Sequence, residues 1–284
     1  NTATTILTDF ASNIGGSPYF NINTTYYNSA NAHVSNAVHY AGSTTDAYSQ
    51  GTSLRDAQIQ TIVNSAIAGG RLPIDGNGVY FVLTSSDVTA SSGFCTSYCG
   101  WHTHGTISGL DVRYSFVGNP DRCPTSCAAQ TTGPNGNAGA DGMASIIAHE
   151  LEETVSDPDL NAWYDRRGAE NADKCAWIFG TPSTNPTNTF TTTGGAKANA
   201  VAGALNFFLQ ENAAANTNSC VSVNPAQLSN ITGFSPNTGP VGTTVTFTGT
   251  GLSGTQGFFN GVTATVASAT ATSFTAKVPT GATT

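Results

Sequence analysis

Apolar residues recur along this chain at two different periods. Ile59, Ile62, Val63, Ala66 and Ile67 fall at i, i+3, i+4, i+7 and i+8, the stripe of an amphipathic helix. Ser53 stands where the cap of that helix is expected, and Gly69-Gly70 where it must stop. Val79-Tyr80-Phe81-Val82-Leu83 is a continuous apolar run that predicts a buried strand. Residues 112–117 alternate apolar with polar and predict another. Met143, Ile146, Ile147, Leu151 and Val155 predict a second helix over 141–154, ended by Asp157-Pro158. Residues 206–210 fit strand or helix, and 180–195 read as a Thr/Asn/Pro loop.

Near residue 226 the text changes. From Ile231 to Thr284 the only charged residue is Lys277. Short alternations at 245–248, 257–261 and 273–278 sit between Gly-bearing turns and read as strands. The pattern predicts an α+β chain: a mixed sheet-and-helix main domain over 1–226 and a small all-β immunoglobulin-like domain over 227–284.

Composition narrows the function. Only 9% of the 284 residues are charged, against about 25% in an average globular protein. A formal net charge of −8, with nine scattered Lys and Arg, gives no basic footprint for nucleic acid. No apolar run approaches the roughly 18 residues of a membrane span. Six cysteines, at 95, 99, 123, 127, 175 and 220, in a Lys-poor chain predict disulfides and a secreted, extracellular setting. A zinc site built from the two Cys-x3-Cys pairs is the alternative. The pairing expected is Cys95–Cys99, Cys123–Cys127 and Cys175–Cys220. Asn1 reads as the start of a processed chain. Asn23-Thr24-Thr25 and Asn230-Ile231-Thr232 are glycosylation sequons if the source cell glycosylates.

The acidic residues are concentrated. Nine of the 17 lie between 141 and 173, opposed mainly by Arg166 and Arg167. Carboxylates so crowded raise one another's pKa, which a cation among them would relieve. On the second predicted helix Glu150 falls inside the apolar arc, where a carboxylate is costly unless paired, protonated or beside a metal. His149 and Glu153 flank the arc, and Glu152 is expected to face solvent. His149-Glu150-Leu151-Glu152-Glu153 therefore has the layout of a metallohydrolase helix. In the His-Glu-x-x-His form, the residues at i and i+4 bind zinc and the Glu at i+1 activates water; here Glu153 replaces the second His.

Trp101-His102-Thr103-His104-Gly105 supplies two more imidazoles, on one face if the segment is extended. One ligand set joins His102, His104 and His149, leaving Glu150 or Glu153 as base and support. The other follows the gluzincin proteases, with His149 and Glu153 plus a later carboxylate such as Glu170, and Glu150 as base. Asp157 is a further candidate ligand. A structural calcium site could use Asp157, Asp159, Asp165, Glu170 and Asp173. Tyr164 or Arg166 is the candidate oxyanion donor, and His33 and His39 read as ordinary surface histidines. These features predict a secreted zinc endopeptidase. The competing reading is a non-catalytic wall or matrix protein that binds extracellular protein or polysaccharide.

The segments "SGFCTSYCGWHTHG", "YSFVGNPDRCPTSCAAQ", "GADGMASIIAHELEETVSDPDLNAWYD" and "NFFLQEN" resemble the EXORDIUM / phosphate-induced protein family over roughly residues 15–222. The resemblance implies a secreted wall protein, as in the plant members, in a microbial branch to which the His-Glu pair of the helix is an addition. The last 55 or so residues, with "GFSPNTGPVGTTVTFTG", resemble the IPT/TIG module. That implies an immunoglobulin-like domain, here short of its final strand.

Overall fold

The computed structural model describes residues 2–180, 189–222, 230–250, 252, 257–259, 262–270 and 272–282. The chain forms two compact units, Asn1–Ser222 and Val223–Thr284. The predicted boundary at 226, and most of the 180–195 loop, lie outside the described residues.

The larger unit is α+β. Helix α1 (Ala3–Asn13) is capped by Thr2, whose Oγ1 accepts the Thr5 N–H, and it buries Ile6 and Phe10, one turn apart. Helix α2 (Asp56–Ala68) buries Ile59, Val63, Ala66 and Ile67, as their spacing predicts. Its cap is Arg55, not Ser53. The Gln58 side chain accepts the Arg55 N–H at 2.8 Å, while Ser53 is drawn into a two-residue parallel pairing with Thr89.

Strands β1 (Val79–Leu83), β2 (Gly100–Ile107) and β3 (Leu110–Val117) form one sheet in the order β1-β3-β2. β1 pairs parallel with β3, and β2 and β3 form an antiparallel hairpin. Ser108 and Gly109, both at positive φ, make its two-residue turn, which matches the twist of the strands. β1 is an edge strand and only half-buried, rather than enclosed. Val112, Tyr114 and Phe116 pack with α2 in one apolar cluster, and Trp101, paired with Phe116, lies on that side too. His102, paired with Ser115, therefore points the opposite way, toward the next helix.

That helix is α3 (Ala138–Ser156), with Asn137 capping its start by accepting the Ala140 N–H. It lies between α1 and the sheet, its Met143, Ala144, Ile146, Ile147 and Leu151 sharing a core with Ile6, Phe10 and Phe207. Fifteen of its 19 residues are buried. This enclosure overturns the expected solvent face. Glu152 is 1% exposed and accepts a hydrogen bond from the Asn212 amide. Residues 205–207 form a short strand on Ala200–Ala202, so the ambiguous segment starts as strand, and 208–210 are neither strand nor helix. Asn23 is fully buried, so the first sequon is sealed in the folded chain; the side chain of Asn230 lies outside the described residues.

The three disulfides are Cys95–Cys123, Cys99–Cys127 and Cys175–Cys220. The first two differ from the expected pairing. Cys123 and Cys127 bracket one turn of helix (Pro124–Cys127), so both face the 95–99 segment and each meets a cysteine there.

The described residues of the smaller unit form one antiparallel sheet. Its strands are β4 (Asn230–Ser235), β5 (Thr244–Thr250), β6 (Gly257–Phe259), β7 (Val262–Ala269) and β8 (Ser273–Lys277), in the order β4-β5-β8-β7-β6. Leu252, Ala264, Phe274 and Ala276 form its small core. It is all-β, as an immunoglobulin-like module requires.

Candidate metal centre

Two elements and one loop converge beside the C-terminal half of α3. One helical turn separates His149 from Glu153, and their Nε2 and Oε1 atoms lie 3.2 Å apart. β2 crosses the helix and delivers His102, whose Nε2 lies 3.9 Å from the other Glu153 oxygen, Oε2. The chain after α3 then folds back. Asp157 Oδ1 accepts the N–H groups of Asn161 and Ala162, and Asp165 Oδ1 accepts those of Arg167 and Ala169. The returning segment places Glu170 Oε2 3.0 Å from His102 Nε2 and Asp173 Oδ1 3.5 Å from His149 Nε2. The Asp173 N–H donates to Glu153 Oε1 at 3.0 Å, and the Cys175–Cys220 disulfide fixes the turn two residues on.

Charge distribution follows from this packing. Burial works against a charged His149, but Glu153 and Asp173 outweigh it and hold its pKa well above the usual imidazole value. His102 is likewise raised, burial being outweighed by its bond to Glu170. Burial pushes Glu150 up to about 8, partly offset by His149. Burial also raises Glu170, while the bond to His149 lowers Asp173. Glu150 opens with His149, Asp173, Tyr98, Gly100 and Trp177 onto a cleft of about 330 Å³.

Among the described residues, three groups bring His or carboxylate ligand atoms within 4.8 Å of one another. His149, Glu153 and Asp173 form one, and His102, Glu153 and Glu170 a second. The third, His104 with Asp111 and Asp159, stands apart from His149: His104 Nδ1 lies 3.0 Å from Asp111, and Asp159 is bonded by Arg113, a fixed positive charge that opposes a cation there. His102, His149, Glu150, Glu153 and Glu170 thus share one site, and His104 does not. Asp157 and Asp165 each commit one oxygen, Oδ1, to a turn, and neither belongs to any of the three groups. Tyr164 and Arg166 are exposed and do not line the cleft. The cysteines of the alternative zinc reading are all in disulfides.

The sequence alone places Asp173 only in the calcium set and does not single out Gly100. Trp177 lines the cleft half-exposed at φ +63°, an unfavourable conformation for a bulky residue, and its N–H donates to Gln210 Oε1 at 2.6 Å. No periodicity or spacing marks either residue.

Residues 11–223 match the phosphate-induced protein 1 conserved region. The chain belongs to this family. Residues 229–284 match the IPT/TIG domain. Relatives in the family include EXORDIUM-like 5 of Arabidopsis thaliana, 36% identical over 178 residues, which are 55% of this chain and 49% of the relative. EXORDIUM-like 3 of the same plant is 37% identical over 156 residues, 47% of this chain and 46% of the relative. PHOSPHATE-INDUCED 1 of Nicotiana tabacum is 32% identical over 155 residues, 46% of each chain. The chain spans about half the length of the curated relatives it matches. No solved structure matches it. No helix among the described residues is long and apolar enough to cross a membrane.

Proposed function

We propose that this family member is a secreted, metal-dependent hydrolase of the zinc endopeptidase type. The observation that carries the reading is the trio His149 Nε2, Glu153 Oε1 and Asp173 Oδ1, with Glu150 opening onto the same cleft. Ligand atoms about 2.0–2.1 Å from a tetrahedral zinc lie roughly 3.3 Å apart. The 3.2 and 3.5 Å separations about His149 are close to that spacing. Such a cation makes water a better acid and polarises a carbonyl. Glu150 would then accept the water proton and return it to the leaving amine. Three disulfides and the scarcity of Lys suit action outside the cell.

Elemental analysis of the purified chain, with assays on casein and gelatin, tests the reading. Zinc is expected in the wild type and in Glu150→Gln, but hydrolysis only in the wild type. His104→Ala is expected to keep both metal and activity. Absence of metal, or full activity in Glu150→Gln, overturns the reading.

A second reading is favoured by the IPT/TIG match and by the half-exposed Trp177. Here the chain binds an extracellular protein or polysaccharide, and any metal is structural. A chelator that lowers the melting temperature, in a protein with no hydrolytic activity, supports this alternative.

A further inference from the structure

We propose that Glu153 bridges two adjacent divalent-cation positions. His149 and Asp173 complete the first, and His102 and Glu170 complete the second. The first position is the one assigned above, so the inference rests on that reading and extends it to a dinuclear centre.

The division of the Glu153 carboxylate is the main argument. Its Oε1 faces His149 and its Oε2 faces His102, so the two imidazoles approach different oxygens of one group. A carboxylate used in this way spans two metals about 3.5–4 Å apart, the separation of two-metal hydrolytic sites. Each half supplies one imidazole nitrogen and one further carboxylate, and in each half the three ligand atoms lie within 4.8 Å. The two halves are thus chemically alike.

Burial and charge supply the second argument. The side chains of His102 and Glu153 are 3% and 5% exposed. Glu170 Oε1 is sealed from solvent without a hydrogen-bond partner, although its other oxygen is bonded to His102. A simple His102–Glu170 hydrogen bond leaves that oxygen unexplained, at the cost of a buried unpaired acceptor. The carboxylates of Glu150, Glu153, Glu170 and Asp173 crowd the two imidazoles. Mixed imidazole and carboxylate donors suit Zn2+ and Mn2+.

Metal stoichiometry distinguishes this inference from the reading beneath it. The full oxidised chain, stripped by chelator, is titrated with Zn2+ or Mn2+ alone, and bound metal is measured by elemental analysis. Two ions per chain are expected in the wild type and one in Glu170→Gln. His102→Asn, also expected to bind one, serves if the first variant does not fold. At two equivalents of Mn2+ the electron paramagnetic resonance spectrum is expected to show exchange coupling between neighbouring ions, reverting in either variant to that of an isolated ion. One ion in the wild type, unchanged by Glu170→Gln, overturns the dinuclear centre and leaves the single-metal hydrolase standing. No bound ion overturns both.

Discussion

Gly100 lies against Glu150 so closely that a Cβ built on it would stand 2.8 Å from Glu150 Oε1. The same Cβ would meet Ile146 Cγ2 at 2.6 Å and the Phe116 carbonyl oxygen at 3.0 Å. The first residue of β2 must therefore be small for α3 to approach the sheet with its carboxylate in place. Gly100→Ala is expected to cost about 1–3 kcal/mol, the usual penalty for overpacking a tight contact. It is also expected to lower hydrolysis more than it lowers bound metal, because it displaces the proposed base and not the ligands. Urea denaturation and turnover measured on one preparation check both; an unperturbed variant would show that the contact has no such role.

Proton binding in the cluster fixes a pH dependence. Metal-free, His102 and His149 have pKa values raised above the free imidazole value of 6.5, and Glu150 is raised from 4.5 to about 8. Groups raised by folding contribute stability that is full below their unfolded values and is lost as pH climbs through their folded ones. The stripped protein is therefore expected to melt at progressively lower temperature from about pH 5 to pH 8. Metal ligands must be deprotonated, so the gain in melting temperature on adding Zn2+ is expected to grow over the same interval. Thermal melts across that range, with and without the ion, give the answer. A gain that shrinks with pH contradicts the ligand assignment.

Cys95–Cys123 and Cys99–Cys127 each span 28 residues and close nearly the same loop. In the chain-entropy account, closing such a loop contributes about 3–4 kcal/mol, and most of it is gained by whichever bridge is present. Replacing either cysteine pair with Ser is expected to cost well under half of what replacing both pairs costs. Denaturant midpoints of the two double variants and the quadruple variant measure this. Additive losses would mean that each bridge acts separately on native packing.

Much of the fold could be read from local periodicity. Helix α2 follows its pattern because it has one buried face, strand β3 keeps its alternation although its C-terminal half is buried on both faces, and α3 lies where its apolar spacing places it. Glu152 was misread for the same reason that Glu150 stood out. The apolar arc alone implies a solvent face for α3, whereas α1, the sheet and the 199–214 segment close around it. The His149–Glu153 pairing follows from one turn of helix. The choice of Asp173 over Glu170 as the neighbour of His149 depends on the turns built by Asp157 and Asp165, which no repeat encodes. Cysteine partners were equally hidden, since a Cys-x3-Cys spacing does not reveal that 123–127 is helical and faces 95–99.

Asp173 precedes by two residues a cysteine tied to Cys220 on a separate hairpin, 45 positions along the chain. One proposed ligand is thus positioned by a covalent bond made after synthesis, while His149 and Glu153 are positioned by the helix alone. A reductant such as dithiothreitol should therefore release the ion before it unfolds α3. Material produced in a bacterial cytosol should emerge helical but metal-poor until the cystine has closed.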